Sequence, residues 1–346
     1  MEKENKQNAI SEEIEIIKIE NTDSTTDGVI FDDKSKSKKK KPKKVYKKTT
    51  FKHKMKVMGV LTLLGMFTGC GLGVWYFNTA LQSPDYASLN VADYIGNVDD
   101  SFATIGVTKG SNWVADAKNK GLTPADIAVA DNILLCEYNA MQATSYSMIG
   151  TGAVYCMGTS QSVYSARKFD GNAYTFESLS KGILTVATCD HMVEGGTTVT
   201  TYQGTDLTDT GATWITPETV STNEFQETVG VLPNSLSPYI ISEKTIEEAS
   251  EISYNDETGT YSFTVSLKTI ESVLFYYKQV KRSGGLEASP EFYSIQITFT
   301  INADWEFVST DIVETYKAVK FGLPVTCEGT LLTNYVFDGE VTLPIA

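Results

Sequence analysis

Side chains that catalyse reactions at neutral pH are scarce in this chain of 346 residues. It has two histidines, His53 and His191. A hydrolase triad needs a histidine beside its nucleophile, and no serine here stands in a recognisable elbow motif. The sequence also lacks a Gly-rich phosphate loop and the alternating acids of a calcium loop. We therefore predict a protein that is not an enzyme and that has no cofactor and no metal ion.

Basic residues are outnumbered in most of the chain, which carries a net charge of −14. Thirteen lysines and no acidic residue lie between Lys34 and Lys56. Residues 57–346 contain 13 basic and 33 acidic residues, a net charge of −20. Because so acidic a region repels phosphate backbones, we expect no nucleic-acid partner.

Charge is absent altogether from residues 57–77, where two threonines are the only polar side chains. As a helix this run would span about 31 Å, close to the hydrocarbon thickness of a bilayer. We predict a transmembrane helix over residues 55–78. A cleaved signal peptide fits less well, because about 55 residues precede the run. A buried core helix would leave the uneven charge of the two flanks unexplained.

The two flanks of this run predict its orientation. Lysines stay on the cytoplasmic side, so residues 1–54 are predicted to be a disordered cytoplasmic tail and the C-terminal part to lie outside the cell membrane. We expect one group of lysines to lie against the anionic inner leaflet of the bilayer. This group is Lys38, Lys39, Lys40, Lys41, Lys43 and Lys44. A nuclear address is the competing interpretation of the same run.

Three glycines, Gly65, Gly69 and Gly73, recur at every fourth position of the apolar run. They would share one helix face and let two helices approach closely, so a homodimer through the membrane helix is possible. Thr68-Gly69-Cys70 resembles the end of a lipoprotein signal, which leaves lipidation of Cys70 open. No asparagine after the run stands in an Asn-x-Ser/Thr sequon, which favours a bacterial source.

We predict a stalk over residues 79–121 and an extracytoplasmic domain over residues 122–346. Thr123-Pro124-Ala125-Asp126 is a helix start signal, and helical spacing continues to about Gln142. The remaining pattern predicts strands, with short helices near 217–229 and 243–250 and another from Ile270 to Val280. The predicted strands cover 145–157, 161–169, 173–178, 183–189, 197–203, 261–267, 293–301, 305–316 and 326–337.

This order of elements predicts an α+β fold, with a curved antiparallel sheet wrapped around helices. The segments YSFTVSL, TIESVLFYYKQV and EFYSIQITFTINADWEF carry a resemblance to the lipoprotein-carrier (LolA-like) family. The resemblance implies a single curved sheet that holds acyl chains in its concave face. A long tail and a membrane helix replace that family's signal peptide or lipid anchor, so an anchored binder fits better than a shuttle.

Two sets of residues are candidates for sites in this domain. An apolar ligand cavity could be lined by aromatic side chains, although core packing explains the same residues. These are Phe275, Tyr276, Tyr277, Tyr293 and Trp305. Four cysteines could form two disulfides, with three possible pairings, or remain buried thiols. They are Cys136, Cys156, Cys189 and Cys327.

The segment LTVATC, which ends at Cys189, resembles the strand that carries the nucleophile of sortases. That chemistry needs a histidine and an arginine near the thiol. His191 is two residues away, but the sortase histidine precedes its cysteine by tens of residues and nothing here matches it. We therefore predict a membrane-anchored binding protein for a lipid or an envelope component. A structural or sensory envelope protein that binds a protein partner is the first alternative, and a sortase-like thiol transpeptidase is the second.

Overall fold

The computed structural model describes residues 82–182 and 185–345. In this part of the chain twelve strands form one antiparallel sheet. The strands are β1 (Tyr146–Cys156), β2 (Thr159–Phe169), β3 (Ala173–Lys181), β4 (Val186–Val193), β5 (Thr198–Thr205), β6 (Thr213–Ser221), β7 (Ile246–Ala249), β8 (Ser253–Asn255), β9 (Thr260–Leu267), β10 (Glu291–Asn302), β11 (Phe307–Lys320) and β12 (Leu323–Phe337).

The sheet consists of two meanders joined at its centre. Its strand order is β6-β5-β4-β3-β2-β1-β12-β11-β10-β9-β7, and β8 pairs with β9. The long central strands β1 and β12 pair along their length, from Tyr146 opposite Phe337 to Cys156 opposite Cys327. The first and last strands of the domain are therefore neighbours, and each continues into its own series of hairpins.

Helices in the described residues are short. They are α1 (Val98–Ile105), α2 (Trp113–Asn119), α3 (Val129–Ala140), α4 (Thr222–Thr228) and α5 (Tyr276–Ser283), with 3-10 turns at Tyr86–Ser88, Val91–Asp93, Pro124–Asp126 and Glu271–Val273. Asn97 caps α1 by accepting a hydrogen bond from the Asp99 amide at 3.1 Å, and Ser221 caps α4 by accepting one from the Glu224 amide. Such side-chain caps satisfy amides that the first helical turn leaves unpaired.

The main hydrophobic core lies between one face of the sheet and the helices. Strand β9 alternates regularly between half-buried and buried side chains, so its apolar residues share one face. Tyr86, Phe102 and Trp113, from the segment predicted as a stalk, are buried in this same core. Phe102 and Trp113 meet edge to face, with ring centroids 5.5 Å apart.

Two smaller apolar clusters lie elsewhere on the sheet. Tyr164, Ala166, Leu179 and Ala187 pack under Leu207, Ala212 and Trp214. In the other cluster, Phe225 and Val229 pack against Met192 and Val199, so α4 and the turn after it cover part of β4 and β5. The sheet is therefore partly covered on both of its faces.

The predicted fold class, α+β with one transmembrane helix, is wrong for the described residues, which are mainly β. Strand β6 covers the start of the helix predicted near 217–229, while the rest of that helix forms as α4, and β7 replaces the helix predicted near 243–250. The helix predicted from Thr123 to about Gln142 is shorter in the structure. The capping contact between Thr123 and Asp126 forms, but it closes a 3-10 turn, and α3 starts only at Val129.

Several other elements agree with the sequence-based predictions. Strands β1, β2, β5, β9, β10 and β12 lie within about two residues of their predicted positions, except that β12 begins three residues early, at Leu323. The predicted helix from Ile270 to Val280 appears as a 3-10 turn followed by α5.

Within 82–182 and 185–345, no helix has both the length and the apolar character needed to cross a membrane. The predicted membrane helix over 55–78, with Gly65, Gly69, Cys70 and Gly73, lies outside the described residues. The predicted tail, with its lysines from Lys38 to Lys44, also lies outside them.

Candidate ligand-binding cavity

A cavity of about 240 Å³ lies between the sheet and the elements that cover its main core face. Residues of β3, such as Ser178, and residues of β10, such as Ile297, both border this cavity. These strands are five positions apart in the sheet, which would separate them by about 24 Å if the sheet were flat. The sheet therefore curves around the cavity.

Strand alternation determines which side chains reach the cavity. On β2, Val163, Ser165 and Arg167 border it, while Tyr164 and Ala166 belong to the cluster on the opposite face. Small residues leave open space on the inner face, among them Ser165, Ser178 and Gly329. A Cβ atom at Gly329 would lie 3.1 Å from Cγ of Glu314, so a side chain there would press against the cavity wall.

The open side of the curved sheet is covered by residues 236–241 and by α5. The amide of Ile240 donates a hydrogen bond of 2.8 Å to the carbonyl of Ser272, in the 3-10 turn before α5. The rings of Tyr239 and Tyr276 lie 4.6 Å apart, so the two covering segments are in contact. Val280 and Leu286 contribute apolar contacts to the cavity from this side. The cover is therefore built of short segments, and the hydroxyls of Tyr239 and Tyr276 tie them to the sheet by donating hydrogen bonds to Glu314.

Glu314 is a buried carboxylate in the cavity wall. Its two oxygens accept hydrogen bonds from the hydroxyls of Tyr239, at 2.7 Å, and Tyr276, at 3.0 Å. Burial raises the pKa of Glu314 to about 7, and the two hydroxyl bonds oppose this shift. The carboxyl group therefore changes its protonation near neutral pH inside a mostly apolar wall.

Glu137, on α3, is a second carboxyl group that borders the cavity. Burial raises its pKa to about 7. No hydrogen bond to its side chain is present among the described residues, unlike the case of Glu314. Its carboxyl group is therefore open to a partner inside the cavity.

Arg167 is the buried cation of this cavity, with 4% of its surface exposed. Its guanidinium donates to the carbonyl of Leu232 at 3.1 Å and to Oε1 of Gln279 at 3.3 Å. It also lies 3.9 Å from the ring centroid of Phe176. Burial lowers the pKa of Arg167 to about 10, so it stays charged at neutral pH.

Two hairpin tips border the cavity at one end, those of β1–β2 and β11–β12. Their side chains Met157 and Phe321 are 54% and 66% exposed. Lys320, which also borders the cavity, donates a hydrogen bond of 3.0 Å to the carbonyl of Gly285. This end is therefore an apolar mouth that opens to solvent.

The predicted ligand-binding aromatic residues lie in different environments. Tyr276 borders the cavity, whereas Phe275 and Tyr277 pack against the core beside it. Tyr293 is 53% exposed, and Trp305 is fully buried against Trp113. The structure therefore brings one of the five to the cavity.

All four described cysteines are free thiols. Cys156 and Cys327 are directly opposite each other on β1 and β12, and both border the cavity. Cys136 is buried in α3. Cys189 faces away from the cavity, because its neighbour Thr188 pairs with the cavity-lining Ser178.

Cys189 is not an activated nucleophile. It is fully buried, and desolvation raises the pKa of its thiol well above the usual range. A nucleophilic cysteine needs the opposite shift, toward the thiolate. In addition, no group of three or more His, Cys, Asp or Glu residues in the described part of the chain could hold a metal ion.

Glu314, Glu137 and Arg167 are not among the site residues predicted from the sequence. A signal existed for Glu314, because it lies between Ile312 and Tyr316 at positions that share one strand face. Arg167 is one of only two arginines in the chain, but its burial depends on long-range packing.

No protein-family model matches this chain, and no curated protein matches it. Among solved structures, a DUF1329 family protein from Desulfovibrio piger shares 9% sequence identity. That match covers 64% of this chain and 96% of the other, with a TM-score of 0.22. The dehydratase domain from the CurJ module of curacin polyketide synthase also has 9% identity, covering 56% and 77% of the two chains, with a TM-score of 0.11. These structural likenesses are weak.

Proposed function

We propose that this chain is a non-catalytic binding protein that holds an apolar or amphiphilic molecule, such as a lipid, in the cavity of its curved sheet. One observation carries the proposal, namely the cavity of about 240 Å³ enclosed by the concave face, α5 and residues 236–241. Mostly apolar concave cavities with a few polar groups are typical ligand sites. A curved antiparallel sheet around such a cavity is also what the LolA-like resemblance implies.

The exposed apolar mouth supports the same proposal. A lipid that leaves a bilayer must cross water, and exposed Met157 and Phe321 at the cavity's end offer it an apolar path. The proposal also includes a location of the domain outside the cell membrane. Its ligand is then a lipid or another component of the cell envelope. An envelope protein that docks at the same mouth is the alternative partner.

Native mass spectrometry of the purified full-length chain tests the proposal first. We expect an adduct whose mass, after extraction with organic solvent, is that of a lipid or a similar amphiphile. A fluorescent probe with no charge, N-phenyl-1-naphthylamine, then measures access to the cavity by its enhanced emission in apolar surroundings.

The variant Ser165→Phe places a ring in the cavity, and we expect it to weaken binding of the probe about tenfold. Ser162→Phe is the matched control, since Ser162 is exposed on the opposite face of the same strand. Equal probe binding by both variants, or a chain that neither carries a lipid nor binds the probe, would exclude a ligand in this cavity. A stoichiometric protein partner recovered with the lipid-free chain would favour the alternative.

A further inference from the structure

Arg167 differs from the other arginine of this chain in its electrostatic partners. Arg282 donates two hydrogen bonds to the carboxylate of Asp190, at 2.8 and 3.0 Å. The guanidinium of Arg167 contacts a carbonyl, an amide oxygen and an aromatic ring, all of them neutral. Among the described residues, no carboxylate lies within salt-bridge distance of Arg167, although it is the more deeply buried of the two.

Three acidic side chains near Arg167, namely Asp190, Glu177 and Glu314, already have other partners. A fourth, Glu137, borders the same cavity but forms no ion pair with the guanidinium. Asp190, which interacts electrostatically with Arg167, is bound by Arg282 and by the hydroxyl of Thr201 at 2.6 Å. Glu177 lies 3.3 Å from Lys168 and, like it, is on the other face of the sheet. Arg167 therefore has a longer-range interaction with Asp190 but no direct ion pair with a carboxylate among the described residues.

A buried charge without a counter-charge is unfavourable, because it has lost its hydration and gained no ion pair. Arg167 borders the cavity, so a molecule inside it can reach the guanidinium. The planar guanidinium fork matches the oxygens of a carboxylate or a phosphate.

Two further polar groups lie near Arg167. The hydroxyl of Tyr146 is buried and has no hydrogen-bond partner among the described residues, and it interacts electrostatically with Arg167. The hydroxyl of Tyr335 borders the cavity and shares a hydrogen bond of 3.2 Å with that of Thr310. Hydroxyl groups can donate to an anion that sits beside the arginine.

We propose that the cavity selects an amphiphile with an acidic headgroup, a carboxylate or a phosphate monoester, which forms an ion pair with Arg167 while its apolar chain lies along the concave face of the sheet. This inference rests on the proposed function, since it names the class of ligand that the cavity takes. It adds a requirement that an apolar cavity alone does not make, namely one negative charge on the ligand.

The test compares three ligands that share a twelve-carbon chain: dodecanoate, dodecyl phosphate and dodecanol. Each competes with N-phenyl-1-naphthylamine for the full-length protein, below its critical micelle concentration. An ion pair in buried surroundings predicts that at least one of the acids binds about tenfold to a hundredfold more tightly than the alcohol. The relative affinity of the two acids distinguishes a carboxylate site from a phosphate site.

In Arg167→Gln we expect the acid and the alcohol to bind equally, while Arg167→Lys keeps part of the preference. Lys281→Gln removes one positive charge from the exposed side of α5 and is the control for net charge. The comparison in the unaltered protein does not depend on the folding of any variant. Equal binding of acids and alcohol there would overturn this inference and leave the proposed function intact, whereas failure of the probe to bind would overturn the proposed function itself.

Discussion

The indole Nε1 of Trp305 donates a hydrogen bond of 2.9 Å to Oδ1 of Asn132, and both side chains are fully buried. Trp305 lies in the turn between β10 and β11, and Asn132 lies on α3. The Asn132 amide also donates to the carbonyls of Pro124, at 2.9 Å, and Ile127, at 3.0 Å. One asparagine therefore links the sheet to the helix and to the turn before it.

We expect Asn132→Ala to destabilise the domain by about 3 kcal/mol. The change leaves the indole N–H of Trp305 and the carbonyl of Ile127 buried without this partner, and each such group costs about 1–3 kcal/mol. The carbonyl of Pro124 keeps the hydrogen bond from the Ile127 amide. Urea unfolding followed by tryptophan fluorescence measures the effect. Asn334→Ala, at an exposed position of β12, is the control and should change stability by less than about 0.5 kcal/mol. Equal stability of the two variants would contradict the structural role of Asn132.

The raised pKa of Glu314 predicts that the domain loses stability as the pH rises toward neutrality. The folded state binds this proton with a pKa of about 7, against an ordinary value of 4.5. The folded state therefore holds more protons than the unfolded state between these values, and the free energy of unfolding falls across this window. One such carboxyl group accounts for a loss on the order of 3 kcal/mol between pH 4.5 and pH 7.

Glu314→Gln stays neutral at every pH, so we expect its stability to fall less between pH 5 and pH 7.5 than that of the unaltered protein. Glu137 contributes a fall of the same sign in both proteins. Glu328→Gln, at an exposed position of β12, is the matched control. Urea unfolding at a series of pH values gives the comparison, and parallel curves for all three proteins would refute the assignment.

Oxidation is expected to join Cys156 to Cys327. Directly opposite residues of an antiparallel pair have Cβ atoms about 4.5–5.5 Å apart, close to the spacing a disulfide needs. The two thiols lose two protons and two electrons to a small-molecule disulfide such as oxidised glutathione, which is reduced. Alkylation followed by peptide mass spectrometry should find this pair alone, with Cys136 and Cys189 still reduced. A different pairing, or none after prolonged oxidation, would contradict the register of β1 and β12.

Strand positions were predictable where one face of a strand is buried along its whole length. In β10 the buried residues Ile295, Ile297, Phe299 and Ile301 alternate with more polar ones, and this pattern is local. Strands β6 and β7 have no such pattern, because most of their residues are exposed. Their strand conformation depends on pairing with β5 and β9, which no local sequence pattern records.

The sequence predicts an apolar cavity in a curved sheet, but it does not identify the residues that line this cavity. Aromatic composition alone does not separate Tyr276, which borders the cavity, from Trp305, which fills the core. The lining comes from strands far apart in sequence, so its membership depends on how the sheet curves. The importance of Arg167 depends in addition on its lack of a direct ion pair with any described carboxylate, which only three-dimensional packing determines.

The two hairpin tips at the mouth have side chains that their turns disfavour. Met157 and Gly158 both have positive φ, at 54° and 75°, and so do Phe321 and Gly322, at 52° and 69°. Two-residue turns of this type prefer asparagine at the first position, because other side chains crowd the backbone there. Both positions nevertheless have a large, exposed apolar side chain that borders the cavity.

We therefore expect Phe321→Asn to stabilise the domain by about 0.5–1 kcal/mol while weakening binding of N-phenyl-1-naphthylamine. The stability gain comes from relief of backbone strain, and the loss of binding comes from removal of an apolar wall at the mouth. Leu323→Asn is the matched control, since Leu323 is also exposed but does not border the cavity. It should leave probe binding unchanged and bring no gain in stability. If Phe321→Asn instead gained stability with unchanged binding, the apolar tip would have no part in admitting a ligand, and its strain would be without a functional reason.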